Sequence, residues 1–353
     1  PESIGDETGI IFACAFPGYD SLIADLQSRA DDPEAFRFDR KFLLKVLSMG
    51  HAQLAQLIGA RGPNVSINTA CASTTFGLSL AEDWIRAGRC KRVLVVGADD
   101  ITNDQLTEWL VTGFLAAGAA TTESDVTKAA LPFDVRRHGM ICGMGAVGVV
   151  VEHPDEVNAR GITPLAELIA TEVANSAFHA TRLHLNHVSS RVKHLVDQCV
   201  ERTGLTAAEL AKNSLFMSHE TYTPARGGSS AAEIQALRTA FGPEADEVLI
   251  TNTKGFTGHP MGAGVEDGVV LKSLQYGVVP PIANLKEPDP ELGKINLSNG
   301  GRHERAYALR LAAGFGSQIS LAMFRKVADG DDRLSSASTY ENWLRQITGT
   351  EDV

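Results

Sequence analysis

No stretch of this 353-residue sequence approaches the apolar run that spans a membrane, and its first residues show no basic-then-apolar signal pattern. Both absences lead to the expectation of a cytoplasmic protein with no membrane partner. Positive charge is also scarce. Thirty-two Lys and Arg stand against 43 Asp and Glu, and the net charge of −11 argues against nucleic acid as the main partner. The five cysteines (Cys14, Cys71, Cys90, Cys142 and Cys199) are odd in number, scattered, and contain no C-x-x-C pair. That excludes a disulfide frame or a zinc ribbon and fits reduced thiols. The histidines show no H-E-x-x-H spacing; His184 and His187 can share a helix face but lack acidic or thiol partners, so no metal is expected.

What is present is a large α/β body. Apolar runs of strand length alternate with longer helix-compatible segments: Gly9–Phe16, Asn64–Asn68, Lys91–Asp99 and Gly145–His153, then "PLAELIATEV", "NSLFMSHE", "EVLITNT" and "YALRLAAGFGSQISLAMF". Continuous rather than alternating apolar strands imply sheets covered by helices on both faces. Asn68–Gly88 and Asn252–Gly277 resemble each other: each starts with Asn-Thr after a β-type run, passes through small residues, and ends an apolar helix at glycine. Two copies of one α/β unit fit this, with the break near the polar stretch "HPDEVNARGITP" (His153–Pro164). The chain divides at residues 1–155, 156–327 and 328–353, the last an acidic linker followed by a short amphipathic helix in "YENWLRQI".

Within "NTACAST", Cys71 is either a space-filling core thiol or a nucleophile at a helix start, where the helix dipole favours a thiolate. Three later stretches offer partners: "SHETYTPARGGSSAAE" with His219, "NTKGFTGHPMGAG" with Lys254 and His259, and "AAGFGSQIS" with Gly314-Phe315-Gly316. Each histidine alone also reads as a satisfied structural residue.

Together these motifs resemble those of the β-ketoacyl synthases, the ketosynthase domains of fatty acid and polyketide synthases in the thiolase-like superfamily. "NTACAST" resembles the nucleophile motif, "HETYT" the first histidine motif and "NTKGFTGHPMGAG" the lysine and second-histidine motif; "PFDVRRHGMICGMGAVGVVVE" and "GFGSQIS" match two further signatures in order. The resemblance covers residues 8–326. It implies a thiolase-like five-layered αβαβα fold of two related halves, the first lacking its N-terminal strand and helices in this chain. It also implies a β-ketoacyl synthase acting by decarboxylative Claisen condensation. Cys71 would carry the acyl chain, and Cys71 and Phe315 would form the oxyanion hole, with Phe315 also gating between Gly314 and Gly316. His219 and His259 would stabilise the enolate of a malonyl thioester, and Lys254 would order the site through an acid, for which Glu233 is the candidate. Thr221 and Thr223 would hold the phosphopantetheine arm, which the acyl-carrier protein supplies; no bound cofactor is implied.

The resemblance further implies a homodimer, neighbouring domains of a multifunctional synthase, and carrier docking on basic residues among Arg136, Arg137, Arg182 and Lys193. Several positions depart from the family pattern: Asn68 and Ala72 flank the nucleophile motif, Glu220 and Tyr222 replace two glycines, Met144 replaces a glutamate and Ala313 a phenylalanine. Other readings are a non-elongating ketosynthase that only binds and transfers acyl groups, a thiolase-type acyltransferase, disfavoured because no cysteine follows Cys199, and a Cys–His hydrolase, disfavoured by motif order.

Overall fold

The computed structural model describes residues 5–37, 40–223, 229–327 and 336–350. Four strands, β1 (Thr8–Ala13), β2 (Asn64–Ile67), β3 (Arg92–Asp100) and β4 (Met144–Glu152), build one sheet in the order β2-β1-β3-β4, with only β4 antiparallel. Six more, β5 (Ala166–Asn175), β6 (Ser214–Met217), β7 (Leu249–Thr251), β8 (Asn296–Leu297), β9 (Tyr307–Gly314) and β10 (Gln318–Lys326), build a second in the order β5-β10-β9-β6-β7-β8. Strand for strand, β2-β1-β3-β4 repeats as β7-β6-β9-β10, each series ending in one antiparallel strand. The duplication suspected from the two Asn-Thr segments is therefore real: they follow β2 and β7, which hold the same place in their sheets.

The copies differ at both edges: β8 pairs parallel on the outer side of β7, where β2 has no described neighbour, and β5 is added at the other end. The outer side of β10 is paired antiparallel by β5, whereas the equivalent side of β4 carries no strand among the described residues. A groove of about 1910 Å³ runs beside it, lined by Val147, Val149, Val151, Val269, Leu271 and Tyr276.

Seven helices matter here: α1 (Gly50–Ile58), α2 (Ser73–Arg86), α3 (Asp104–Ala116), α4 (Leu185–Thr203), α5 (Ser229–Phe241), α6 (Val265–Tyr276) and α7 (Ala337–Thr348). α2 and α6 lie between the sheets and touch both, α1 covers β1 and β2 from outside, and α4 covers β5 and β10 with α5 packed on it. This is the expected five-layered arrangement. α2 fits its slot because its buried face is small apart from Leu78, consisting otherwise of Ser73, Thr74, Thr75, Gly77, Ser79 and Ala81; a Cβ on Gly77 would stand 2.9 Å from Val95 Cγ1. A helix with large residues there would push the sheets apart.

α4 begins where the His184 ring accepts the His187 N–H and ends at Gly204 in the left-handed region, so His184 is a helix cap. The expected C-terminal amphipathic helix is α7, on which Tyr340 and Trp343 are exposed. Among the described residues no helix is long and apolar enough to cross a membrane.

Candidate functional site

Every catalytic candidate but Glu233, which lies on α5, sits at a strand end or in the turn that follows. Asn68 bridges the nucleophile turn to the first strand, its amide donating to Ala15 O at 2.9 Å and its Oδ1 accepting the Ala70 N–H. Ala70 has a φ of +51°, so the chain reverses sharply just before Cys71. The Gly314 turn is packed against this point: an added Cβ on Gly314 would lie 2.4 Å from Thr69 O and 3.2 Å from Cys71 N. Gly314, Phe315 and Gly316 therefore adjoin the nucleophile. The Phe315 ring is 40% exposed and lies 5.9 Å from that of Phe114 on α3.

His219 follows β6 and His259 follows β7 by way of the Lys254 turn. Their rings are 5.9 Å apart and nearly perpendicular. Both are buried, and neither Nδ1 nor Nε2 of His259, nor Nδ1 of His219, has a hydrogen-bond partner. Burial, followed by the Lys254 charge, holds His259 down at about 3 and His219 well below its ordinary value. Both imidazoles are neutral near pH 7 and have a free N–H to offer.

The His259 loop is stitched to the nucleophile helix. Thr74 Oγ1 donates to Gly262 O at 2.7 Å and accepts the Gly264 N–H at 2.8 Å. Asp99, at the end of β3, accepts the N–H groups of Ala15, Phe16 and Gly262 at 2.7–2.9 Å, joining the two halves directly.

The acid that pairs with Lys254 is Glu266, in the first turn of α6, and not Glu233. Glu233 instead accepts from Ser218 Oγ and from the His219 backbone N–H at 3.2 Å. The reason is topological: Lys254 and Glu266 flank one loop, whereas Glu233 enters from α5 behind His219. Burial and then the Glu220 carboxylate raise Glu233 to about 8, so it is largely protonated at neutral pH. Glu266 is held down at about 2 by Lys254 and Arg310, which outweigh its burial.

Arg310 was not anticipated, although a cation inside "YALRLAAG" was a visible signal. It is buried on β9 and donates to Leu311 O at 2.6 Å and Ser218 O at 3.3 Å. Its Nη2 stands 3.5 Å from Glu266 Oε2 and its Nε 3.6 Å from Asp267 Oδ1. Asp267 also accepts from Thr75 Oγ1 on the nucleophile helix.

A second correction concerns Cys71. It lies two residues before α2, and burial pushes its thiol up to about 12, more than the nearby Lys254 charge lowers it. The resting group is a thiol and not the preformed thiolate that a helix start suggested.

Thr221 and Thr223 stand side by side, their hydroxyl oxygens 3.5 Å apart. The part of the "PARGGSSAAE" insertion at 224–228 lies outside the described residues, as does the start of the acidic linker at 328–335. The expected basic docking residues are largely occupied: Arg136 pairs with Asp134, Arg137 with Asp289 and Lys193 with Asp197, while Arg182 lies over the Phe178 ring. Met144, where the family has a glutamate, is exposed at the start of β4.

Two family models match, beta-ketoacyl synthase, N-terminal domain, over residues 1–156, and beta-ketoacyl synthase, C-terminal domain, over residues 165–286. The 3-oxoacyl-[acyl-carrier-protein] synthase 2 of Vibrio harveyi is 29% identical over 289 residues, covering 80% of this chain and 67% of that protein. The chloroplastic 3-oxoacyl-[acyl-carrier-protein] synthase II of Arabidopsis thaliana is 32% identical over 285 residues, covering 78% and 50%. The chain thus spans half to two thirds of the length of these relatives. A solved type II polyketide synthase complex, acyl-carrier protein AntF with its ketosynthase AntDE bound to the hexaketide, aligns with a TM-score of 0.79 at 21% identity, covering 92% of this chain and 79% of its own. A β-ketoacyl synthase from Burkholderia phymatum aligns at 0.77 and 22% identity, covering 92% and 77%. At these identities the structural likeness speaks to fold alone.

Proposed function

This chain belongs to the β-ketoacyl synthase family, and from that premise we propose that it condenses an acyl group held on Cys71 with a malonyl-type thioester presented by an acyl-carrier protein. The observation that carries the proposal is the pair of buried neutral imidazoles, 5.9 Å apart, in which Nδ1 of His219 and both ring nitrogens of His259 are buried with no hydrogen-bond partner. A protein that buried two such rings for packing alone would leave them unsatisfied at a cost of about 1–3 kcal/mol per group. A thioester oxygen that gains negative charge satisfies both.

Three steps balance. The Cys71 sulfur attacks the donor thioester carbonyl; the new C–S bond forms, the carrier's C–S bond breaks, and the thiol proton leaves with the carrier as its free thiol. The malonyl thioester then loses CO₂, and the electron pair of the broken C–C bond becomes an enolate. His219 and His259 donate N–H bonds to the enolate oxygen, which is electrostatic stabilisation by groups already in place. Finally the enolate carbon attacks the acyl carbonyl, the C–Sγ bond breaks, and the Cys71 thiolate takes a proton from solvent. Burial and then the Lys254 charge keep the histidines neutral, and Glu266, itself paired with Arg310, holds Lys254 in register. Thr221 and Thr223 offer hydroxyls to the pantetheine arm, and the protein itself needs no bound cofactor. The oxyanion N–H groups are those of Cys71 and Phe315. A cytoplasmic homodimer working beside other synthase domains is the setting this chemistry suits.

The test is a condensation assay with acyl- and malonyl-carrier thioesters. Cys71→Ala abolishes the β-ketoacyl product, while Cys71→Gln keeps malonyl decarboxylation; elongation by the alanine variant would refute the mechanism.

A further inference from the structure

The first histidine motif departs from the family pattern by placing Glu220 and Tyr222 where glycines are expected. Tyr222 is fully buried and has a φ of +43°. A side chain in this left-handed region costs about 1–2 kcal/mol that glycine avoids. The position therefore keeps its glycine backbone while carrying a large ring.

Three bonds show where the ring goes. The Tyr222 hydroxyl donates to Lys254 O at 3.1 Å and accepts the Ile141 N–H at 3.3 Å, and Ile141 O in turn accepts the His259 N–H at 2.8 Å. From the same loop, Glu220 O accepts the Asn252 amide at 2.8 Å, and Asn252 Oδ1 accepts the Lys254 N–H at 2.9 Å. The loop that begins at His219 thus holds Lys254 O directly and the Lys254 N–H by way of Asn252. The Glu220 carboxylate anchors that loop, accepting from Ser229 Oγ at 2.6 Å and Ser230 N at 2.7 Å at the start of α5.

Resting on the condensing activity proposed above, we infer that Tyr222 is a positioning residue whose hydroxyl fixes Lys254 and His259 relative to His219. It touches no substrate. It acts through Lys254, whose charge faces both imidazoles together with that of Arg310, while Glu266 faces His259 and Glu233 meets the His219 backbone. A phenylalanine at 222 keeps the ring and the packing but frees the Lys254 carbonyl and the Ile141 N–H.

The test uses the full chain with Tyr222→Phe. Histidine ring ¹H–¹³C NMR signals are titrated, and malonyl decarboxylation and Cys71 acylation are measured separately. The expected result is an upward shift in the titration of His219 and His259, with kcat for decarboxylation falling about 5–30-fold. KM and Cys71 acylation stay within twofold. The acid limb of the decarboxylation profile moves to higher pH with the histidines. Asn252→Ala removes the other tether and gives the same histidine shift, and the double variant shifts less than the sum of the two.

Unmoved histidine titrations in both single variants overturn the inference. So does an equal loss of acylation and decarboxylation with unmoved histidines, which assigns the hydroxyl to packing alone. The NMR readout needs no turnover, so a chain without condensing activity refutes the proposed function while the positioning role is still decided.

Discussion

At the scale of single residues, the site depends on carboxylates whose protonation the fold has set in opposite directions. Glu266 is an anion between Lys254 and Arg310, and removing its charge leaves the buried Lys254 without its ion-pair partner and Arg310 with Asp267 alone. Glu266→Gln is expected to destabilise the protein by about 3–5 kcal/mol, read by denaturant melts. Glu233 is raised to about 8 from 4.5, so the native state holds a proton that the unfolded chain releases. Its contribution is fully present below pH 4.5 and is lost as pH rises through 8. Melting curves across that range should therefore fall less steeply for Glu233→Gln than for the parent. Cys71, at about 12, is a thiol at neutral pH. Its alkylation rate, followed by peptide mapping, should rise about tenfold per unit between pH 7 and 9.

At the scale of elements, two contacts decide where the nucleophile points. Thr74 on α2 fixes the His259 loop, and Gly314 at the end of β9 fixes the Cys71 turn. Gly314→Ala places a Cβ within 2.4 Å of Thr69 O, so backbone must move. The expected outcome is loss of Cys71 acylation by at least about tenfold in a protein that still folds, checked by mass spectrometry of the acylated chain beside circular dichroism. The strands and the Cys71, His219, Lys254 and His259 turns were legible in the sequence because apolar runs and motif order are local signals. The Glu266 pairing and the place of Arg310 were not. Both depend on which strand end faces which helix start across the midlayer, and spacing along the chain does not encode that. Glu233 was the candidate partner of Lys254 because the family resemblance implies an acid for the lysine and has a glutamate after the first histidine motif. The thiolate expectation failed for a related reason, since a helix start is visible in sequence but the burial around it is not.

At the scale of the whole molecule, the two copies of the α/β unit meet through Asp99, which accepts three N–H groups drawn from both halves. Asp99→Ala orphans all three and should cost about 2–4 kcal/mol. Because the orphans lie on both sides of the junction, the loss should appear in thermal melts as a broadened or split transition. The halves are also joined by the midlayer helices α2 and α6, which belong to different copies and bury their faces against both sheets, and by the bonds of Ile141 to Tyr222 and His259 and of Arg137 to Asp289.

Among the described residues no strand pairs with the outer side of β4, and this carries a consequence for how the chain behaves at high concentration. Nine residues of β-backbone, with Val150 55% exposed, present a row of N–H and C=O groups to water on the side that β5 covers in the other sheet. Such an edge is a template, and a second copy of the same edge satisfies it as well as any other strand. Handled by itself, the chain is poised to stick edge to edge in solution, quite apart from any pairing that its catalysis requires. A lysine at Val150 blunts that tendency by giving each copy a charge that the other would have to bury.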